Sequence, residues 1–254
     1  MMLFLVGAGL SGGGLSEDAL ELLKREGVKV YAEQYTGWFG DRIPDLEKQI
    51  SKSISILERS GLEDNISSLI AMAAKSEIAV LVAGDPLVAT THKIACIEAK
   101  KLGVKVKVIH AESIVGAAMG ESGLDFYRFG QICTIPAWSE HYKPVSFYET
   151  IEKNLANNLH SILLLDYDPK TGSIQPAYAV DLLLQAEKRY KKGIIRPSMR
   201  MIVLHNLSLD GEQKLLIGLD AVKTLRFDAG PTVMILPAKM SEVEVESTAA
   251  MLGV

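Results

Sequence analysis

Ala83-Gly84-Asp85-Pro86-Leu87-Val88-Ala89-Thr90-Thr91-His92 follows an uninterrupted apolar run, Ile78-Ala79-Val80-Leu81-Val82. An apolar run of that length, bounded by turn residues, reads as a strand of a parallel sheet buried on both faces. Gly84 lets the backbone turn sharply or approach a ligand with no Cβ in the way. Pro86 fixes its own φ and holds Asp85 toward an extended conformation. The decapeptide is therefore a rigid polar corner outside the carboxyl end of a strand, where open α/β folds place their ligands. An ordinary strand-to-helix turn carries some of the same residues, so Gly-Asp-Pro alone does not decide between scaffold and site.

Working outward, the same pattern recurs. Met2-Leu3-Phe4-Leu5-Val6 is a strand that ends at Gly7-Ala8-Gly9. Ser16 followed by Glu17 and Asp18 marks a helix start, with acids on its first turn. That helix runs to Gly27, and Val28–Ala32 returns as a strand. Helix-compatible segments span Pro44–Ile50 and Asn65–Lys75, and a helix is expected from about Thr90 to Lys101. Val104–His110 alternates as a strand. Strands separated by helices imply βαβ units with right-handed crossovers and a largely parallel sheet. Beyond the small-residue stretch Gly116–Gly123 the expected strands are Gln131–Ile135, Ser161–Leu165, Met201–His205 and Thr232–Leu236. Helices are expected over Phe147–Asn157 and Tyr178–Lys191. Two α/β domains follow, 1–112 and 113–254.

The 254 residues suit one large domain or two smaller ones. A net charge of -4 leaves no electrostatic footprint for nucleic acid. Cys96 and Cys133 are the only cysteines, too few for a disulfide framework or a Cys-x-x-Cys metal pair. No metal site is expected. No run approaches the ~20 apolar residues of a membrane span, so the expectation is a soluble, cytoplasmic chain.

Gly7-Ala8-Gly9-Leu10-Ser11-Gly12 satisfies the Gly-x-Gly-x-x-Gly spacing of a dinucleotide site, and Glu33 stands where a ribose-binding acid would. Gly13 and Gly14 oppose it, because each glycine destabilises a helix that should already be under way by about 1 kcal/mol relative to alanine. A helix starting at Ser16 is too late to receive a pyrophosphate held at Gly9.

Several longer segments carry a family resemblance. Val6-Gly7-Ala8-Gly9-Leu10, Ala32-Glu33-Gln34-Tyr35-Thr36, Val108-Ile109-His110-Ala111-Glu112-Ser113-Ile114, Tyr127-Arg128-Phe129-Gly130 and Leu236-Pro237-Ala238-Lys239 occur with the decapeptide in the order seen in the diphthine synthases. The chain resembles that branch of the tetrapyrrole (precorrin-type) methylase superfamily over nearly its whole length. Gly-x-Gly and Gly-Asp-Pro mark the superfamily, and the longer segments mark the branch.

The resemblance implies an S-adenosyl-L-methionine-dependent N-methyltransferase. It implies a homodimer of two-domain α/β subunits of tetrapyrrole-methylase type, with the cofactor in the cleft between the domains. The implied substrate is translation elongation factor 2, methylated on the amino group of a 3-amino-3-carboxypropyl-histidine in diphthamide biosynthesis. The implied cofactor contacts are Leu10, Asp85, Val88, Ser113, Ile114, Leu165, Leu207 and Thr232. The chain departs from the family pattern at Glu112, Thr232 and Ala238, where proline, histidine and glycine are usual, and at Ser11–Gly14.

Methyl transfer from a sulfonium needs alignment and water exclusion more than a covalent intermediate. Apolar Leu10, Val88, Ile114, Leu165 and Leu207 suit that demand, although each alone also reads as a core residue. Asp85 either accepts hydrogen bonds from the cofactor or caps the helix near Thr90. Ser113 is read as the cap of a helix whose amides face a carboxylate. His92, His110 and Glu33 are base candidates by residue type, and none is assigned. Glu242-Val243-Glu244-Val245-Glu246 reads as an edge strand or a solvated helix face. The rival readings are a small-molecule tetrapyrrole methylase, a nucleotide-dependent oxidoreductase and a catalytically idle binding protein.

Overall fold

The computed structural model describes residues 1–11, 14–58, 66–168 and 172–253. Gly12, Gly13 and Asn65, which entered the readings above, lie outside the described residues. The chain divides into two compact units, Met1–Ile114 and Val115–Val254.

The first unit holds five parallel strands, β1 (Met2–Gly7), β2 (Val28–Glu33), β3 (Ile54–Leu57), β4 (Glu77–Val82) and β5 (Lys105–Ile109), in the order β3-β2-β4-β1-β5. The two most apolar strands, β4 and β1, lie at its centre. Both faces are covered, as a parallel sheet requires. Phe4, Val6 and Leu81 pack with Leu22 and Leu23 of α1 (Glu17–Lys24) and Leu46 of α2 (Ile43–Ile50). Leu3, Leu5 and Val80 point the other way, against Leu69 and Ile70 of α3 (Ile66–Ala73) and Ala95 and Ala99 of α4 (Lys93–Lys101). Helix α1 starts as expected, with the Ser16 side chain accepting from Ala19 N.

One strand here has no counterpart in the sequence reading, and one helix boundary shifts. The edge strand β3 is short and buries only Ile54 fully, so it lacks an apolar run to announce it. Helix α4 begins at Lys93 rather than Thr90, because Thr90 and His92 turn back onto the Pro86 carbonyl: Thr90 Oγ1 donates to it at 2.8 Å and His92 Nδ1 at 3.0 Å.

In the second unit α5 (Ile114–Glu121, straddling the division) precedes β6 (Cys133–Ile135), α6 (Ser146–Ala156), β7 (Ser161–Leu165), and the two-stranded ribbon β8 (Tyr167–Asp168) and β9 (Gly172–Ser173). Then come α7 (Pro176–Tyr190), β10 (Arg200–His205), β11 (Gln213–Gly218), α8 (Leu219–Val222), β12 (Thr232–Leu236) and α9 (Glu242–Leu252). Its sheet runs β11-β10-β12-β7-β6 and is parallel only between β6 and β7. The largely parallel expectation therefore holds for the first sheet alone. Strand β11, an edge strand with only Leu216 buried, was not foreseen.

The acidic Glu242–Glu246 segment is a solvated helix face rather than an edge strand, except at Glu244, which turns inward. Ser241 and Glu244 form a reciprocal capping box at the start of α9, and Glu244 is buried. Its carboxylate also accepts from the Asp125 amide, the Arg128 guanidinium and His160 Nε2. His160 Nδ1 accepts from Ala238 N at 3.0 Å, so its proton sits on Nε2 and the ring is neutral. Burial holds the His160 pKa below its ordinary value. For Glu244 burial acts upward, and the Ser241, His160 and Asp125 donors outweigh it, leaving the pKa at about 2.

Alanine at Gly7 places a Cβ 2.7 Å from both Ala111 Cβ and the Gly84 carbonyl oxygen. Gly7→Ala is expected to lower unfolding free energy in urea by about 2 kcal/mol through overpacking. Gly103→Ala meets nothing within 4 Å and bears only the left-handed φ of +68°, so it should cost about 1 kcal/mol.

Glu244 ionises in the native state down to about pH 2 against an ordinary value of 4.5. Its stabilisation is complete above 4.5 and is lost as pH falls from there toward 2, and that of neutral His160 is lost below 6.5. Urea midpoints measured from pH 7 to 3 should fall steadily for the wild type. Glu244→Gln should be less stable at pH 7 and flatter below 4.5.

Candidate active site

In the first unit the loops after β1 and β4 are stitched together beyond the ends of their strands. Ala8 N donates to Val82 O at 2.8 Å, Gly84 N to Gly9 O at 2.9 Å and Gly9 N to Gly84 O at 3.3 Å. Both glycines adopt left-handed backbone, φ +67° and +74°, which a side chain would oppose. Ala89 takes φ +56° without being glycine, a strained conformation held by the loop around it.

Asp85 is almost fully buried and does not cap α4, whose N-cap His92 makes no side-chain capping bond. Its Oδ1 accepts from Leu87 N at 2.9 Å, and its Oδ2 accepts from Ala111 N at 3.3 Å and from His110 Nδ1 at 2.7 Å. Burial pushes the carboxyl pKa up, but the Leu87 amide, the His110 ring and the Ala111 amide together bring it below its ordinary value. An ionised carboxylate only accepts, so His110 Nδ1 carries the proton it donates to Asp85. The His110 side chain is 67% exposed, and its Nε2 has no hydrogen-bond partner among the described residues.

Leu10 follows the β1 loop, Val88 lies exposed in the β4 loop, Ser113 immediately precedes α5, and Ile114 opens it. Thus all five first-unit residues expected at a cofactor lie past the carboxyl ends of three adjacent strands, where a parallel α/β sheet places its ligands.

In the second unit Leu165 ends β7, Leu207 follows β10 and Thr232 opens β12. Because β12 is antiparallel to both neighbours, its first residue lies beside the last residues of β7 and β10. Thr232 Oγ1 contacts His205 Nδ1 at 2.8 Å, and His205 stacks on Phe227 with ring centroids 4.3 Å apart. Burial lowers the His205 pKa, with Asp228 acting upward. Where the family pattern has histidine, threonine meets a histidine from the neighbouring strand. Asn206 Oδ1, at the same edge, is buried without a hydrogen-bond partner among the described residues.

Sequence reasoning missed His205 and Asn206. Only the β10–β12 register brings His205 to Thr232, and only the fold brings Asn206 beside Gly230, where a Cβ would lie 2.0 Å from Asn206 Oδ1. The other base candidates are buried away from solvent. Glu33 is fully buried and accepts from the Tyr35 and Thr36 amides and the Thr36 hydroxyl. His92 is buried, its Nε2 3.8 Å from Glu33 Oε1. Glu33 therefore has no free face for a ribose, and with α1 beginning at Glu17 the dinucleotide reading falls.

Among the described residues no cluster of histidine, cysteine, aspartate or glutamate could hold a metal, and no helix is long and apolar enough to cross a membrane. Residues 2–219 match the family model of the Tetrapyrrole (Corrin/Porphyrin) Methylases. The chain belongs to this methylase family.

Its relatives place it more narrowly. It is 34% identical over 258 residues to the diphthine synthase of Methanothermobacter thermautotrophicus, covering 99% of this chain and 96% of that one. It is 35% identical to the diphthine synthase of Methanocaldococcus jannaschii, covering 97% of each. A crystal structure of diphthine synthase superposes with a TM-score of 0.86 at 30% identity, covering 100% of this chain and 96% of that one. Within the methylase family the chain belongs with the diphthine synthases, and its activity is that of a methyltransferase.

Asp85→Asn keeps an acceptor for Leu87 but turns an amide donor toward the Ala111 N–H and the His110 Nδ1–H. Leaving the Ala111 N–H without its acceptor should cost about 2 kcal/mol of unfolding free energy. Thermal unfolding of the variant beside the wild type measures it, and equal stability would mean the three-way contact is absent in solution.

Proposed function

We propose that the chain uses S-adenosyl-L-methionine to methylate the amino group of the 3-amino-3-carboxypropyl-histidine of translation elongation factor 2, as a cytoplasmic homodimer. The observation that carries this reading is the Asp85–His110 pair, set among apolar residues past the ends of the parallel strands, in a chain whose relatives are diphthine synthases.

The cofactor, when bound, supplies a methyl group on a sulfonium. The residues present fit it. Leu10, Val88 and Ile114, past the strand ends of the first unit, offer the apolar contact that favours exclusion of water. The first amides of α5, beside Ser113, suit a carboxylate. The orphaned Asn206 Oδ1 suits an amino donor such as an adenine carries, with Thr232 and His205 adjacent. Asp85 supports the wall through its bonds to Leu87, His110 and Ala111.

The acceptor amine must lose a proton before it can attack. His110 is oriented to take that proton on Nε2, while Asp85 fixes its Nδ1–H and stabilises the imidazolium that forms. Glu33 and His92 take no part.

Calorimetric titration should show S-adenosylhomocysteine binding at one site per chain and no comparable affinity for NAD. With modified elongation factor 2 as acceptor the chain should transfer methyl groups, and with a precorrin it should not. Transfer to the precorrin alone would favour the small-molecule methylase reading. His110→Gln should lower kcat about a hundredfold near pH 7, within the usual range for a general base. The deficit should shrink as pH approaches the amine's own pKa. A pH-independent deficit would remove His110 from proton transfer.

A further inference from the structure

A cavity of about 500 Å³ lies in the second unit, at the opposite end of β10 and β12 from Thr232 and Leu207. Five strand residues separate the two ends, roughly 15 Å at a strand's rise per residue. That volume is within the range of built ligand sites, about 300–1,000 Å³. Arg196, Arg200 and Lys239 line it over an apolar floor that includes Met199, Leu216 and Pro237, and no acidic residue lines it. None of the three cations is ion-paired among the described residues, although Arg200 donates to the Leu216 carbonyl at 2.9 Å. On a chain of net charge -4, this is a local reversal of sign.

Both cationic walls are held rigid by carboxylates that lie outside the cavity lining. Glu187 accepts from the amides of Gly193, Ile194 and Ile195 at 2.6, 2.9 and 2.8 Å and from the Tyr148 hydroxyl at 2.9 Å, fixing the loop that carries Arg196. Arg128 bridges Glu244 and the backbone carbonyls of Asn158 and Lys239, while Ala238 N donates to His160. Two segments of the sequence pattern that the cofactor site does not use, Tyr127–Gly130 and Leu236–Lys239, thus converge to set one wall. Groups fixed in advance of the ligand lose less entropy on binding it.

The geometry points to this cavity as a docking pocket for acidic side chains of the protein that is methylated, an inference that rests on the reading of the acceptor as a protein. Three unpaired cations over apolar residues complement carboxylates on an otherwise apolar segment. Binding at a point remote from the reacting amine would supply alignment that one modified side chain cannot.

The test is steady-state methylation of modified elongation factor 2 by the wild type, by Arg196→Gln/Lys239→Gln and by Arg196→Glu/Lys239→Glu. Both positions are exposed, and Arg200 is left in place because its side chain bonds the backbone. The KM for the factor should rise about tenfold in the first variant and further in the second, with kcat and S-adenosylhomocysteine affinity holding. Added salt should raise the wild-type KM and leave the variants less affected. Inorganic phosphate should compete with the factor in the wild type and not in the glutamate variant. Methylation with the same KM and salt response in all three proteins would overturn the docking alone, as would phosphate binding that leaves the factor's KM untouched. A wild type that binds S-adenosylhomocysteine yet transfers nothing to the factor would overturn the acceptor reading and the docking with it.

Discussion

The paired hydrogen bonds between Gly9 and Gly84 form an antiparallel bridge just past the ends of the parallel strands β1 and β4, and the first unit's site is built outward from them. They force both residues into left-handed backbone, which glycine alone adopts without strain. They also bring the Gly84 carbonyl so near Gly7 that no Cβ fits there, and the same absence admits Ala111 from the loop after β5. Asp85, one residue beyond the bridge, then spans to that third loop through His110 and Ala111. Three strand ends that a sheet would leave to splay become one surface.

A second device recurs through the chain. Loops that leave regular structure must satisfy their amides elsewhere. Here buried or half-buried carboxylates collect them: Glu33 takes those of Tyr35 and Thr36, Asp85 those of Leu87 and Ala111, Glu187 three in a row, and Glu244 those of Ser241 and Asp125. An isolated carboxylate in such a place would be costly. One that gathers several donors is held ionised, as at Asp85, Glu187 and Glu244, where the donors outweigh burial. These acids shape the walls of sites without needing to touch a ligand.

The apolar runs Met2–Val6, Ile78–Val82, Ser161–Leu165 and Thr232–Leu236 were legible as strands because burial on both faces leaves no polar alternation to confuse the period. Edge strands Ile54–Leu57 and Gln213–Gly218 were not, since an edge keeps one side wet and its residues look like loop. The Gly-x-Gly and Gly-Asp-Pro corners could be located, but the bond from Asp85 to His110 joins residues 25 apart and exists only once β4 and β5 flank β1. Glu244 misled for a related reason. Its alternation with valines describes the helix surface well, yet its partners Arg128 and His160 lie 116 and 84 residues away.

Strand β12 shows how one short apolar segment can serve two places. Were it parallel to β10 like the strands of the first sheet, Thr232 would fall at the opposite end from His205 and Leu207. Antiparallel pairing reverses this, so the start of β12 joins the ends of β7 and β10, and its own end delivers Pro237–Lys239 beside Arg200 at the start of β10. The core residues between, Val233 to Leu236, are buried on both faces and fix the register that sets both ends at once. A slip of one residue would turn each of those side chains to the other face of the sheet, so the two ends can change in sequence but cannot move independently.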